Sequence, residues 1–239
     1  MKRTAVVNVV LCWIVVCILA ACVAWADVLP YPGDKRPRPP RPPVLNQDDT
    51  QISITQAEVK ISLHRHSSQL TTTVVASFKL EFSQGSTPLA HFEMAMPVVE
   101  SASAPNYRLL YLKVDGKPVA ADQIQKKTWP ASPTTSYQGF VWPATMSRGS
   151  AQNVTIAYEL TQKADQKGAW QVAYILKSGA KWTGTIGHET VRLVPEKGLQ
   201  LRAAPSSIKS RREADGSIVW EIENQKPTND AVAEVTPVQ

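Results

Sequence analysis

From Thr50 onward the apolar residues of this chain recur with a period of two, which puts alternate side chains on one face of a strand. Val59, Ile61 and Leu63 form one such set, and Val74, Ala76, Phe78, Leu80 and Phe82 form the longest. Phe92, Met94, Met96 and Val98 follow the turn-forming link Gly85-Ser86-Thr87-Pro88. Leu110, Leu112 and Val114 run into Asp115-Gly116, a hairpin signal because both residues tolerate positive φ. Val154, Ile156, Tyr158 and Leu160 alternate, as do Trp170, Val172, Tyr174 and Leu176. Joined by the polar stretch from Thr161 to Ala169, these two runs are expected to form a hairpin with a longer loop. Val191 and Leu193, then Leu199 and Leu201, continue the pattern. A second Asp-Gly turn (Asp215-Gly216) precedes Ile218, Trp220 and Ile222, and Ala231 to Thr236 reads as a last short strand.

No helical stripe is sustained for three turns, and Pro118 to Lys127 is long enough for a single turn only. Roughly eight to twelve short strands separated by turn residues predict an all-β fold, an antiparallel β-sandwich or a partly closed barrel. Strict alternation leaves one face of each sheet wet, which suits two packed sheets rather than a sheet covered by helices. A split near Gln162–Gly168 into two sub-sandwiches is the alternative arrangement.

The first residues follow different rules. Lys2 and Arg3 precede an apolar run from Ala5 to Ala26, and a ladder of prolines and arginines follows as far as Pro43. A charged start, an apolar middle and small residues at the end make an export signal. Three fates fit it. Ala24-Trp25-Ala26 is an A-x-A cleavage site, and cutting after Ala26 releases a chain beginning at Asp27. Leu19-Ala20-Ala21-Cys22 resembles a bacterial lipobox, with Cys22 as the residue lipidated. The apolar run is also long enough to remain as a membrane helix, which needs about 20 residues. Cleavage after Ala26 is favoured, because Val23, Ala24, Trp25 and Ala26 prolong the apolar run where a lipoprotein would turn polar. All three place the folded part outside the cytoplasm. The chain thus divides into a signal peptide or anchor (1–26), a proline/arginine-rich spacer (27–48) and a β-sandwich domain (49–239).

The spacer reads as a polyproline rod rising about 3.1 Å per residue, whose arginines suit anionic lipid heads or wall polymers. Its R-x-x-P-x-x-P match to SH3-type ligands counts for little outside the cytoplasm. All three cysteines (Cys12, Cys17, Cys22) lie in the signal, so the folded part has no disulfide and no thiol chemistry. The net charge of +6 falls to +4 without Lys2 and Arg3, and the spacer holds four more basic residues. The folded part is therefore close to neutral, and nucleic acid is not an expected partner.

Catalytic signals are weak. There is no G-x-S-x-G and no phosphate-cradling G-x-x-x-x-G-K-[ST]. A carboxylate pair assembled by folding stays open, and with it a glycosidase-type hydrolase as a lesser alternative. No catalytic residue, metal ligand set or cofactor is assigned. His64 and His66 share a strand face, but it is the face of Lys60 and Ser62, opposite the apolar one, and no third ligand is evident. His91 and Glu93 share a polar face in the same way. Lys209-Ser210-Arg211-Arg212 reads as an exposed basic loop. Trp170 and Trp220 are in phase with core residues. Trp129-Pro130 and Trp142-Pro143 occupy turn-rich ground, where exposed rings would form a sugar-stacking platform; plugging the ends of the sandwich is the more ordinary reading.

The segment from Ala169 to Tyr174, continued by Gly179-Ala180-Lys181-Trp182-Thr183-Gly184-Thr185-Ile186-Gly187, resembles a pattern in bacterial exported β-rich proteins of unknown function. The Ala-Asp-Val-Leu-Pro-Tyr-Pro start at Ala26 is similar to the mature start of some of them. The resemblance covers about a quarter of the chain. It implies an extracytoplasmic β-rich domain and transfers no catalytic residue; Gly184 and Gly187 would permit a tight corner around Trp182. The function expected is that of an exported envelope protein with a structural or protein-binding sandwich and an unknown envelope partner. A carbohydrate or cell-wall-glycan binding module using Trp129 and Trp142 is the alternative.

Overall fold

A computed structural model describes residues 50–85, 88–100, 106–130, 136–176 and 184–238. The signal, the spacer, Cys22, Ala26 and Trp182 lie outside the described residues. The elements, in chain order, are β1 (Thr50–His66), β2 (Gln69–Gly85), β3 (Leu89–Glu100), β4 (Asn106–Val114), β5 (Lys117–Pro118), a single 3-10 turn (Ala121–Gln123) and β6 (Gln125–Pro130). They continue as β7 (Ser136–Ser147), β8 (Ala151–Lys163), β9 (Trp170–Tyr174), β10 (Ile186–Val194), β11 (Leu199–Ala203), β12 (Ser210–Arg212), β13 (Ile218–Gln225) and β14 (Ala231–Pro237).

An eight-stranded sheet runs β12-β13-β10-β1-β2-β8-β4-β5, and two three-stranded sheets run β11-β14-β9 and β3-β7-β6. The period-two sets chosen from the sequence form the inner face of the large sheet: Val59, Ile61, Leu63, Val74, Ala76, Leu80, Ile156, Val191, Leu193 and Trp220 are all buried. They share one core with Phe92, Met94, Phe140 and Trp142 from one small sheet and Trp170, Val172, Ala233 and Val235 from the other. Edge-to-face packing of Tyr107 on Phe140, with ring centroids 5.4 Å apart, joins β4 to β7 across that core. The sandwich is therefore one long sheet covered on its inner face by two short ones.

Three features depart from the sequence expectation. The β1–β10 pair is parallel, with Val59 opposite Val191 and Ile61 opposite Leu193, whereas every other pair among the described residues is antiparallel. Through it the strands before and after Gln162–Gly168 share one sheet. Second, β8 and β9 do not form a hairpin: β8 pairs with β2 and β4, and β9 pairs with β14. The link carries the chain from one sheet to another, and Asp165 shapes it by accepting the backbone N–H of Lys167 and of Ala169 (2.8 and 2.9 Å). Third, the stretch read as turn-rich holds β6 and β7, with Trp129 in the first and Trp142 in the second.

The Asp115-Gly116 signal is realised as a two-residue hairpin between β4 and β5, with φ of 49° and 76° and Val114 opposite Lys117. Gly116→Ala is expected to destabilise the domain by about 1 kcal/mol, because the alanine must hold a left-handed backbone; an unchanged denaturation midpoint would contradict this.

Candidate functional site

Both tryptophans of the alternative sugar-platform reading are buried, each 2% exposed, as the more ordinary reading requires. Trp142 belongs to the main core, while Trp129 lies on the other face of its sheet against Ala95 and Val141, with Tyr137 beside it at 6.3 Å. The mid-strand residues Gln138 to Trp142 are buried in succession because β7 is covered on both faces there. Period two is lost at that point, and the adjacent prolines then read as turns. Neither ring offers a face to solvent, which corrects the platform expectation. Among the described residues the indole N–H groups of Trp129 and Trp142 have no hydrogen-bond partner.

The histidines stay apart. His64 and His66 are exposed at the end of β1, opposite Thr71 and Gln69. His91 meets the Thr145 hydroxyl at 3.0 Å, and His188 lies 3.1 Å from that of Thr190. Among the described residues no group of three metal-ligating side chains comes together. The basic cluster is an edge strand rather than a loop. In β12, Arg211 pairs with Glu221 and Glu213, and Arg212 donates to the Leu201 carbonyl. Arg192 pairs with Glu213 (2.9 Å) and Asp215 (2.7 Å) beside it. Its charges are thus largely neutralised, and a short charged strand at a sheet edge also resists unwanted pairing.

One group was missed by the sequence reading. Glu189 is 3% exposed, on the core face of β10 in phase with Val191 and Leu193. Its sheet neighbours are Ala57 on β1 and Ile222 on β13, both apolar. Burial pushes its carboxyl up to about 8, because no nearby cation offsets the loss of hydration. The Tyr174 phenol, itself held well above its ordinary value by burial, also feels Glu189 and Tyr158. The signal lay in the strand: an acidic residue two positions before Val191 and four before Leu193 must face the core.

The second unusual place is the outer face of β4. Leu110 and Leu112 share a phase in the sequence, yet Leu112 is 2% exposed and Leu110 is 41% exposed. The cause is a β-bulge. Leu109 opposes Tyr158 and Tyr111 opposes Ala157, so Leu110 is the extra residue and has no cross-strand partner. It is turned out beside Tyr111, which is 39% exposed, on the face that also carries Arg108 and Lys113. Lys113 Nζ lies 5.2 Å from the Tyr111 ring centroid, and Arg108 pairs with Glu159 at 2.6 Å.

No family model matches the sequence. No curated protein matches it either. The fold does match solved structures. A Legionella pneumophila protein provisionally described as a nutrient binding protein superposes with a TM-score of 0.62 at 17% identity, over 82% of this chain and 69% of that one. An M1 zinc metallopeptidase from Deinococcus radiodurans gives a TM-score of 0.39 at 11% identity, over 79% of this chain and 43% of that one. Leukotriene A4 hydrolase from Saccharomyces cerevisiae gives 0.39 at 11% identity, over 83% and 32%. This chain spans less than half the length of either enzyme. At 17% identity the likeness to the Legionella protein shows the fold alone.

Proposed function

We propose that this chain is an exported, non-catalytic β-sandwich that binds a protein partner in the bacterial cell envelope. The observation that carries the reading is the bulge that turns Leu110 out beside Tyr111. A leucine in core phase is held in solvent by a local device of the kind that re-aims side chains at functional places. The shared fold with the Legionella protein is compatible with a binding role. The glycan reading loses support because Trp129 and Trp142 are buried.

A photo-crosslinking amino acid placed at Leu110 in cells is expected to capture a discrete envelope protein. The same probe at the exposed Lys209 should not capture it, and Tyr111→Glu should abolish the adduct. Diffuse labelling, or the same bands from both positions, would overturn the reading. Export itself is tested by intact mass: the mature chain should begin at Asp27, and a lipid on Cys22 would replace cleavage after Ala26 by membrane anchoring.

A further inference from the structure

We infer that β9 is a flap over the Glu189 carboxyl, closed on the core while that group carries its proton and opening when it ionises, with the large sheet left intact. This goes beyond the docking place at Leu110 and stands apart from it. Glu189 cannot reach water by a movement of its own strand. β10 lies inside the eight-stranded sheet, paired with β1 from His188 to Val194 and with β13 from Ile186 to Leu193. The element facing it is held more lightly. β9 is five residues long, and among the described residues it is paired with β14 along one edge, in a sheet that shares no ladder with the large one. Its inward side chains, Trp170, Val172 and Tyr174, seat it by packing. The Trp170 end is pinned, since the Arg65 guanidinium lies 5.9 Å from the Trp170 ring centroid and Asp165 shapes the loop just before it. Tyr174, at the other end, is the residue whose phenol feels Glu189. Opening therefore hinges near Trp170 and lifts Tyr174.

The surroundings make ionisation the trigger. On the core face β1 sets Ala57 beside Glu189, and β13 sets Ile222 there. The titratable groups that face it among the described residues are the phenols of Tyr174 on β9 and, beyond it, Tyr158 on β8. Burial pushes both up, so they stay neutral and balance no negative charge. The charged residues of β1 (Glu58, Lys60), β13 (Glu221, Glu223) and β14 (Glu234), with His188 and Arg192 of β10, alternate to the outer faces. A carboxylate formed at 189 thus meets no cation and needs water. Lifting one short edge strand admits water at a lower cost than breaking β10 out of a ladder that holds it on both sides. The other small sheet is seated elsewhere, with Phe140 of β7 packed on Tyr107 and Tyr158 over β4 and β8, so β7 serves as the internal reference.

The test is hydrogen–deuterium exchange of the purified full-length chain, read by mass spectrometry across the pH range and corrected for the intrinsic exchange rate. The closed form holds the Glu189 proton up to about pH 8, whereas in the open form the carboxyl titrates near its ordinary 4.5. Opening is therefore favoured as pH rises between those values. Protection of the β9 peptide should fall by up to about tenfold per pH unit across the interval and level off above it. At every pH it should stay below that of the β7 peptide. Glu189→Gln and Glu189→Met should each keep β9 protection constant with pH, and either one, folded, suffices for the comparison. Equal protection of β9 and β7 at all pH values would mean that the domain opens as a whole. That result would overturn the flap and leave standing a Glu189-dependent stability. A β9 protection that ignores pH in the parent, or a pH dependence that survives in the variants, would also overturn the inference.

Discussion

Replacing Glu189 by glutamine is expected to flatten the pH dependence of stability between about pH 4.5 and pH 8. The parent domain should lose stability steadily across that window, and the variant should not. The sign follows from the folded value, about 8, lying above the ordinary 4.5. The folded state holds the proton more tightly than the unfolded chain, so the favourable contribution is complete below pH 4.5 and is lost as pH rises through 8. A shift of about 3.5 units corresponds to about 5 kcal/mol, an upper figure that water entry would reduce. Glutamine keeps the shape but brings two N–H donors into an apolar setting, so it costs about 1–3 kcal/mol at low pH, where the parent is neutral. The slopes of the two curves, rather than their heights, are therefore the readout. Urea denaturation at intervals from pH 5 to 9 measures them, and parallel curves would remove Glu189 as the cause. The Asp215 carboxyl does not interfere. Hydrogen bonds from Ser217 and then the Arg192 contact hold it down to about 2, so it titrates below the window.

Gly187→Ala is expected to destabilise the domain by about 3 kcal/mol, well above the cost of Gly184→Ala three residues earlier. A methyl group at 187 would sit 2.4 Å from the Thr55 carbonyl oxygen, a backbone atom that cannot turn aside. Thr55 is the extra residue of a bulge in β1, between Ile54 opposite Leu80 and Gln56 opposite Lys79. The parallel partner β10 has to approach that bulge without a side chain. Gly184 has a different reason to be glycine: its φ is +76° and among the described residues nothing lies within 4 Å, so alanine there costs only the backbone strain of about 1 kcal/mol. Equal shifts in denaturation midpoint for the two variants would contradict the close-approach explanation. Of the corner pattern noted in the sequence, Gly187 thus fixes a strand contact and Gly184 a left-handed backbone just before β10.

Legibility differed from element to element. The core faces of β1, β2, β8, β10 and β13 were readable because alternation is a property of the strand itself. The Asp115-Gly116 hairpin was readable because its turn chemistry lies in two adjacent residues. The site was read poorly. Trp129 and Trp142 were assigned by their proline neighbours, yet β7 is covered on both faces, a fact about neighbouring strands. Leu110 could not be separated from Leu112, since the bulge appears only when Tyr158 and Ala157 are set opposite β4. Glu189 was visible in phase with Val191 and Leu193, but its raised pKa depends on Ala57 and Ile222, which are far away along the chain.

By itself, then, the sequence determined the all-β class, the inner faces of the main strands and the positions of the tight turns. These rest on local rules: side chains alternate along a strand, and few residues adopt positive φ. Tertiary structure alone decided the parallel β1–β10 pair, the separation of β8 from β9, the placement of Trp129 and Trp142 in paired strands and the exposure of Leu110. Each depends on which distant segment lies alongside. A strand's own pattern says which face is apolar and leaves its neighbour and register to the packing of the whole.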